Sequence, residues 1–580
     1  MNSNEIAQIL GSGKSETQPF GFRVLVDPTE GFERYETVWA ENGGLRAFLR
    51  KLEEIVAHYG WGAVKHHNHN NDFASYFTHL GVQSQGSALH QIQALVRNLE
   101  TQTQGPSRWA RTANVYQIFP RAFNLSGWRE FHDRPPGTAK PFFEEWAAED
   151  FETLNDLGFD TVWLMGTFPI GKRGAKGGET GNAGSPYATT DHQALELSLG
   201  TEADFKRFVD MAHECGVRVI LDIIPNHTSL DSRLLREHPE WFLHHTNPVA
   251  GETAPFGSFE HIDGEGKLWW IRLAGCEYYG KLTPWWDVAQ LNLAHPAVRE
   301  YVVTTACRWI RDFGIDGYRI DMAYQLLNSY YSRNWKVQMP ERELLEQMIT
   351  AVRELRPDAG FFGEAYGREE DLFLCGCDTT LQKCTWLDGL RWHQGRGCNV
   401  ERIRKEIRNA ATIHAQTDGP GGYIFVGNHD EMPHTEAYGP WTRGCAVLTI
   451  CQPNGLLIFN GQEIEFSQQS KDDWPKPIPF TRPVKIDWAG ADPETARFYR
   501  WVFRTSKSIR EELGDVQMHP LEDLNGNWVG YALTGKDTTT RYLVIANPTD
   551  RATMAHVYHT DLGINHSTPL MPYGYKVVRV

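Results

Sequence analysis

Short apolar runs alternate with helical patterns along most of the chain. Each run is rich in β-branched and aromatic residues, and each is followed by a turn and by apolar positions at helix spacing. This alternation is typical of a parallel sheet whose strands are joined by helices. Strands are predicted in this way at 115–119, 161–165, 217–224, 317–320, 360–362, 423–426 and 456–459. An eighth strand, near 385–390, is needed between the fifth and the sixth of these.

Eight strand–helix units that close on themselves form a TIM (β/α)8 barrel, and we predict this α/β fold for residues 108–227 and 289–513. Between the two parts, residues 228–288 show no helix-period repeat and are rich in Trp, Gly and His. They predict an irregular inserted subdomain B after the third strand, over the mouth of the barrel. Residues 514–580 hold further strand patterns, which predict a small C-terminal antiparallel β-sandwich.

Residues 1–107 form a predicted N-terminal extension of mainly helical character. Apolar positions repeat at helix spacing over 45–56 and again over 89–99. The polar run at 101–107 is typical of a linker to the barrel. We expect the extension to pack onto the barrel or to join the subunits of a homo-oligomer.

Composition and charge narrow the classes of partner. The 580 residues carry a net charge of -16, which disfavours nucleic acid and anionic membrane surfaces, because phosphate groups bind clustered Lys and Arg. No run reaches the roughly 18 apolar residues that a membrane span needs. The nine cysteines lack disulfide spacing, and the first residues lack the basic start and apolar core of a secretory signal. We therefore expect a cytoplasmic protein that acts on a neutral small molecule or polymer.

Ionisable residues interrupt four of the predicted strands at their C-terminal ends, which is where a barrel enzyme carries its active site. They are Asp222 on the third strand and His227 after it, Arg319 on the fourth strand and Asp321 after it, Glu364 after the fifth strand, and His429 and Asp430 after the seventh strand at 423–426. Carboxylates from strands four, five and seven should therefore converge on one mouth of the barrel.

Carboxylates in this arrangement suit the cleavage of a glycosidic bond. Two of them are the minimum, one to protonate the leaving oxygen and one to attack the anomeric carbon or to activate water. A third can hold sugar hydroxyls in the transition state. Arg319 lies two residues before Asp321 and so on the same side of the strand, where it would keep that carboxylate ionised. Glu364 follows a glycine in an apolar strand, a setting that raises the pKa of a carboxyl group.

The four strand-end segments, in this order, resemble the four signature regions of the α-amylase family, and the similarity spans about residue 114 to the C-terminus. The resemblance implies a retaining glycoside hydrolase or transglycosylase, with Asp321 as nucleophile, Glu364 as general acid/base and Asp430 as stabiliser of the transition state. It also implies a set of residues that complete the glucose pocket. They are Tyr187, Asp222, His227, Arg319 and His429.

The sequence departs from the family pattern on the side that binds the leaving group. Tyr324 and Gln325 stand where typical α-amylases carry Lys-His, and Gln290 stands where relatives often carry Asp or Lys. Plain endo-acting starch hydrolysis is therefore not favoured. We expect a retaining α-glycosidase that acts on α-1,4-linked maltooligosaccharides or short α-glucans through a covalent glycosyl-Asp321 intermediate.

Two other functions stay open at this point. An α-glucan transglycosylase, of the glucanotransferase or isomerising type, shares the first half-reaction and passes the sugar to a hydroxyl group instead of to water. A catalytically inactive glycan-binding protein would keep the barrel, although all three carboxylates, the arginine and both histidines are present.

No cofactor is expected to be required. A structural calcium ion at Asn226, where many relatives bind one, is an alternative for which the sequence offers no clear set of carboxylate ligands. The glycine-rich segment 171–185 is interpreted as a lid over the sugar site, with a phosphate-binding loop as the alternative.

Overall fold

The computed structural model describes most of the chain beyond residue 105 and shorter parts of the N-terminal region. The described residues are 20–27, 34–40, 45–66, 88–89, 92–93, 106–174, 184–278, 281–394, 396–415, 421–469, 475–480, 482–521 and 527–580. Most of the helix predicted at 89–99 and most of the glycine-rich segment 171–185 lie outside the described residues.

Eight parallel strands form a closed barrel, as predicted. They are Asn114–Ile118, Thr161–Leu164, Arg218–Ile223, Gly317–Ile320, Gly360–Gly363, Thr379–Leu381, Gly421–Ile424 and Gly455–Phe459. The last strand pairs with the first in parallel register, which closes the barrel. Most strands contribute a buried side chain to one interior apolar cluster, which includes Val115, Trp163 and Phe362. The barrel is therefore a packed core, and its chemistry is confined to the strand ends.

Helices join the barrel strands, and a long helix follows the last strand. They are Leu125–Phe131, Phe142–Glu145, Ala148–Asp156, Glu202–Glu214, Pro296–Phe313, Asn328–Trp335, Leu344–Leu355, Glu369–Leu374, Val400–Ala415, His434–Tyr438, Thr442–Ile450 and Pro493–Leu513. Local sequence fixes several of their ends. Asp492, for example, accepts a hydrogen bond from the Thr495 backbone N–H at 2.8 Å and caps the last helix. No helix within the described ranges has both the length and the apolar character to cross a membrane.

The sixth strand lies at Thr379–Leu381, so the prediction of a strand at 385–390 is wrong. Residues Lys383–Leu387 instead form a short π-helix. The prediction followed the apolar pair Trp386 and Leu387, but these side chains are buried from a helical turn, where the Trp386 indole donates to Thr449 Oγ1 at 3.0 Å. The true strand is only three residues long and begins with two threonines, which present no apolar run.

The inserted segment between the third and fourth strands is an ordered sheet where the sequence pattern indicated an irregular segment. Five antiparallel strands form it, at His227–Ser229, His244–His245, Ser258–Ile262, Leu268–Tyr278 and Lys281–Gln290, beside a short helix at Arg233–Glu237. Many of their residues are aromatic, and aromatic side chains favour strands even where strict alternation is absent. Gln290 pairs with His227 in this sheet, so the insertion leaves and rejoins the barrel at neighbouring positions.

Two smaller parts flank the barrel. In the N-terminal extension the helix predicted at 45–56 is confirmed at Leu45–Tyr59, and three antiparallel strands that the sequence pattern did not predict accompany it. These strands are Phe20–Asp27, Arg34–Ala40 and Val64–His66. The C-terminal part has strands Val516–Pro520, Val529–Gly535, Arg541–Ala546 and Tyr575–Arg579 in one sheet and Thr553–His559 and Ile564–Leu570 in another. Buried side chains of both sheets share one apolar cluster, which confirms the predicted sandwich.

We predict that Asp378→Ala destabilises the barrel, because Asp378 anchors the short sixth strand to the fifth. Its buried carboxylate accepts hydrogen bonds from the Phe361 backbone N–H at 2.8 Å and from the Arg353 guanidinium at 2.9 Å. The variant leaves that guanidinium without its carboxylate partner, which should lower the free energy of unfolding by about 3 to 5 kcal/mol in urea titration. The control Asp358→Ala removes an exposed ion pair with Arg356 and should change it by less than about 1 kcal/mol. Equal effects of the two variants would contradict this account.

Candidate active site

Two neighbouring barrel strands place an arginine opposite an aspartate. Arg319 on the fourth strand pairs in register with Asp222 on the third, and Arg319 Nη1 lies 3.0 Å from Asp222 Oδ1. Asp321 follows directly after the fourth strand, and its Oδ1 lies 2.9 Å from the same nitrogen. The predicted pairing of Arg319 with Asp321 is therefore present, and Arg319 serves a second carboxylate as well.

The fifth strand brings a third carboxylate to this guanidinium. Glu364 follows Gly363, which pairs in register with Ile320, and Glu364 Oε2 lies 2.8 Å from Arg319 Nη2. The side chains of Arg319 and Glu364 are each 3% exposed, and that of Asp321 is 7% exposed. Charge-assisted hydrogen bonds of this kind offset the cost of removing the charges from water. Arg319 therefore fixes the distances among the carboxylates of three strands.

Two further donors orient Glu364. The Met322 backbone N–H donates to Glu364 Oε2 at 2.6 Å, and the Tyr366 hydroxyl donates to Oε1 at 2.8 Å. Met322 has a φ of +45°, the left-handed region that a side chain other than glycine seldom occupies. Backbone strain of this kind is held in place by its surroundings and is common at functional sites. Here it turns the amide that follows Asp321 towards Glu364.

Aromatic and imidazole groups form the opposite wall. The rings of Tyr187 and His429 are stacked at 5.4 Å, and the Tyr187 hydroxyl lies 2.6 Å from His429 Nε2. The side-chain amide of Gln117 on the first strand lies 2.7 Å from His429 Nδ1. Because an amide N–H donates, Nδ1 accepts and the ring proton resides on Nε2. The wall thus presents an aromatic face, which suits the stacking of a sugar ring, while His429 Nε2 is engaged by the Tyr187 hydroxyl.

Asp430 follows the seventh strand and is the most exposed of the three predicted catalytic carboxylates, at 33% of its side chain. Its Oδ2 lies 3.1 Å from His429 Nε2, and its Oδ1 lies 2.6 Å from Lys476 Nζ. Asn428 Oδ1 accepts hydrogen bonds from the backbone N–H groups of Asp430 and Glu431 at 2.9 and 3.1 Å. Both the backbone and the carboxylate of Asp430 are therefore held in place.

The environments push the pKa values of the carboxyl groups apart. Burial raises the pKa of Asp321 to about 6 and that of Asp222 to about 7, although Arg319 opposes both shifts. Burial also raises the pKa of Glu364, and the charges of Asp321 and Asp430 add to that shift. Burial acts in the same direction on Asp430, but the positive charge of Lys476 and the contact with His429 bring its pKa well below the usual range. Such a spread is the pattern of an acid/base site.

His227 and its neighbours lie beside this pocket on the side of the inserted sheet. The His227 ring contacts Trp285 edge to face at 5.6 Å, and burial lowers the pKa of His227 to about 4, so the ring is neutral. The structure thus brings together all eight site residues predicted from the sequence: Tyr187, Asp222, His227, Arg319, Asp321, Glu364, His429 and Asp430.

The surroundings of Asn226 do not fit a calcium ion. Calcium prefers six to eight oxygen ligands, yet Asn226 Oδ1 accepts a hydrogen bond from Gln290 Nε2 at 2.9 Å. The same amide also donates to the Asn226 backbone carbonyl at 2.9 Å and to that of Leu291 at 3.2 Å. Among the described residues, no group of three or more His, Cys, Asp or Glu side chains is arranged to hold a metal ion.

Four residues of the site were missed in the sequence analysis. Gln117 interrupts the apolar run of the first strand, whereas Trp163 lies within that of the second, and the Trp163 indole donates to Asp222 Oδ2 at 3.1 Å. Tyr366 stands two residues after Glu364, so its position on the same side of the strand end was readable from spacing. Lys476 lies in a segment without helical or strand periodicity, and nothing in the sequence alone relates it to Asp430.

A barrel with carboxylates on the fourth, fifth and seventh strands defines a class of carbohydrate-active enzymes, and comparison with known families agrees. The family model for the alpha amylase catalytic domain matches residues 117–501. The match covers more than half of the chain, and the chain belongs to this family.

Individual relatives are distant. A cyclomaltodextrinase of a Bacillus species is 26% identical over 289 residues, which cover 47% of this chain and 43% of that protein. A trehalose synthase of a Pimelobacter species is 28% identical over 276 residues, which cover 44% and 42%. The chain thus spans less than half the length of these curated relatives. A maltogenic α-amylase of Thermotoga neapolitana has the same fold, with a TM-score of 0.55 at 20% identity over 81% of this chain and 96% of that one.

We predict that calcium at Asn226 does not contribute to the protein's stability, because the Gln290 amide already occupies the oxygen atoms of Asn226. A chelator should leave the thermal midpoint of the wild type unchanged within about 1 °C in calorimetry. The variant Gln290→Glu places a carboxylate oxygen against those oxygens and should lower stability by about 1 to 3 kcal/mol. Added calcium should restore part of that loss in the variant alone. A chelator that lowers the wild-type midpoint by several degrees would contradict the prediction.

Proposed function

We propose that the protein is a retaining α-glycosidase that acts on α-1,4-linked maltooligosaccharides or short α-glucans. The observation that carries this proposal is the contact of one buried guanidinium, that of Arg319, with both Asp321 and Glu364. Because one guanidinium contacts both carboxyl groups, they lie near each other, and a separation of about 5 to 5.5 Å is the one that retaining enzymes need. An inverting enzyme needs about 6.5 to 9.5 Å, to leave room for a water molecule.

The first half-reaction uses both carboxyl groups. The Asp321 carboxylate attacks the anomeric carbon while the glycosidic bond breaks, and the leaving oxygen takes the proton of Glu364. A covalent glycosyl-Asp321 ester results. In the second half-reaction Glu364 takes a proton from water, the oxygen of that water attacks the anomeric carbon, and Asp321 is released as carboxylate. Asp430 accepts hydrogen bonds from two sugar hydroxyls, and Tyr187 stacks on the ring.

Transglycosylation is the second candidate function, and one contact favours it. Tyr324 packs edge to face on Tyr366 at 5.6 Å, and Tyr366 binds Glu364. Aromatic faces therefore border the acid/base group on the leaving-group side, where a second sugar could stack and take the place of water. Relatives named cyclomaltodextrinase, α-glucosidase and trehalose synthase support an α-glucan or maltooligosaccharide substrate for either reaction.

A cytoplasmic location is proposed together with this activity. Its support is chemical: cysteines such as Cys445 and Cys451 are buried thiols, which suit a reducing compartment.

The proposed function predicts the fate of maltotriose. The wild type should shorten it and release the product first as the α-anomer, seen by proton NMR before mutarotation. Asp321→Asn should lower kcat by roughly 10³-fold or more, because the nucleophile is lost. The control Asp388→Asn, whose carboxylate pairs with Arg391 outside the pocket, should stay within about twofold of the wild type.

Other outcomes of this experiment separate the alternatives. Products longer than maltotriose identify the transglycosylase. A β-anomer released first contradicts the retaining mechanism. A wild type that binds maltotriose without turnover, and with equal affinity after Asp321→Asn, contradicts an enzymatic function altogether.

We predict a bell-shaped pH profile of kcat/KM, which reports the groups of the free enzyme. Asp321 must be ionised to attack, and since its pKa is about 6, activity should fall as the pH drops through about 6. Glu364 must hold its proton, so activity should also fall as the pH rises through its raised pKa. Initial rates with maltotriose from about pH 4 to about pH 9 measure both limbs. Full activity well below pH 5 would contradict the raised pKa of Asp321.

A further inference from the structure

Lys476 lies in the segment between the last barrel strand and the helix Pro493–Leu513, outside every signature region. Its ammonium lies 2.6 Å from Asp430 Oδ1, and its side chain is only 11% exposed. The ammonium also lies 3.7 Å from the centre of the Phe480 ring. A lysine ammonium is seldom removed from water without compensating contacts. The carboxylate on one side and the aromatic face on the other provide them and fix the position of the Lys476 ammonium.

Phe480 connects this lysine to the sugar-binding wall. Its ring is 6.1 Å from that of Tyr187 and is stacked at 6.4 Å on that of His429. His429 in turn holds the second oxygen of Asp430. The Asp430 carboxylate therefore contacts a histidine at Oδ2 and a lysine at Oδ1. The side chains of both residues lie against the buried ring of Phe480.

Asp430 needs such support more than the other two catalytic carboxyl groups, Asp321 and Glu364, do. Its side chain is 33% exposed, whereas those of Asp321 and Glu364 are 7% and 3% exposed and share the guanidinium of Arg319. Solvent competes for the oxygen atoms of Asp430 before a sugar arrives. A carboxylate that must meet two hydroxyl groups in the transition state is most effective when its orientation is already set.

We propose that Lys476 is the positioning residue of Asp430 and holds that carboxylate in the orientation in which it binds the reacting sugar. The inference rests on the proposed glycosidase function and deepens it. Lys476 acts through Asp430, so its loss should lower kcat more than it raises KM. Titratable groups from several elements face Asp430, and they are His429, Lys476, Asp321, Glu364, Tyr187 and Tyr366.

The test compares Lys476→Met with Lys476→Arg. Methionine keeps most of the side-chain volume and removes the charge. We expect kcat to fall by about 10- to 100-fold, because the variant loses one hydrogen bond to a charged group. Asp430 and Asp321 both lose a neighbouring positive charge, which raises the pKa of each and should move the acid limb of the pH profile to higher pH. Arginine retains the charge and should restore both kcat and the acid limb to near wild-type values.

The matched control is Lys383→Met. Lys383 lies 3.4 Å from Glu431, the neighbour of Asp430, and removing it breaks a lysine–carboxylate pair that includes neither Asp430 nor a residue of the sugar wall. This variant should keep the wild-type kcat and acid limb. Thermal midpoints of all three variants, measured by calorimetry, identify any loss that is only structural.

The outcomes for Lys476 and for the proposed function are distinguishable. An active wild type with Lys476→Met unchanged in kcat and acid limb overturns the role of Lys476 alone. The same holds if Lys476→Arg is as impaired as Lys476→Met at a wild-type thermal midpoint, since the charge then does not matter. A wild type without turnover on any α-glucan overturns the proposed function and the inference with it.

Discussion

The contact of one buried guanidinium with three carboxylates is the interaction on which the active site depends. Arg319 touches Asp222, Asp321 and Glu364, and its side chain is 3% exposed. Carboxyl groups this close repel one another and would take up protons if no cation lay between them. A buried cation without carboxylates would be equally unfavourable. Each group is therefore tolerated only because the others are present.

The register of the parallel strands delivers these groups to one point. Arg319 lies opposite Asp222 on one side and Phe362 on the other, and Asp321 and Glu364 each follow one step beyond the ends of their strands. Backbone hydrogen bonds thus set the separations, and the long loops that follow can differ without moving them. Met322 is the exception, because its left-handed backbone is a local cost that turns one more N–H towards Glu364.

The sequence predicts those strands and site residues whose pattern lies within a short stretch of the chain. Strands one to five and seven and eight of the barrel have apolar runs, and the strand-end residues interrupt those runs, so both were readable from spacing. The sixth strand was misplaced because Thr379–Leu381 has no apolar run and is specified by its neighbours through the buried Asp378. The sheet of the insertion was missed because its aromatic-rich strands lack strict alternation of apolar and polar positions, although two of its strand pairs are local hairpins. Lys476 meets Asp430 only through the closed fold, and no local pattern encodes that contact.

The positive charges of the pocket are distributed unevenly among its carboxyl groups, and this explains why the pKa values of those groups differ. Arg319 is shared among three of them, whereas Lys476 contacts Asp430. Burial therefore prevails at Asp321 and Glu364, whose pKa values are raised, and charge prevails at Asp430, whose pKa is lowered. Asp321 and Glu364, which share the guanidinium of Arg319, therefore take up a proton at a higher pH than Asp430 does. Asp430 can thus stay ionised over the whole range in which Glu364 gains and loses the proton of the reaction.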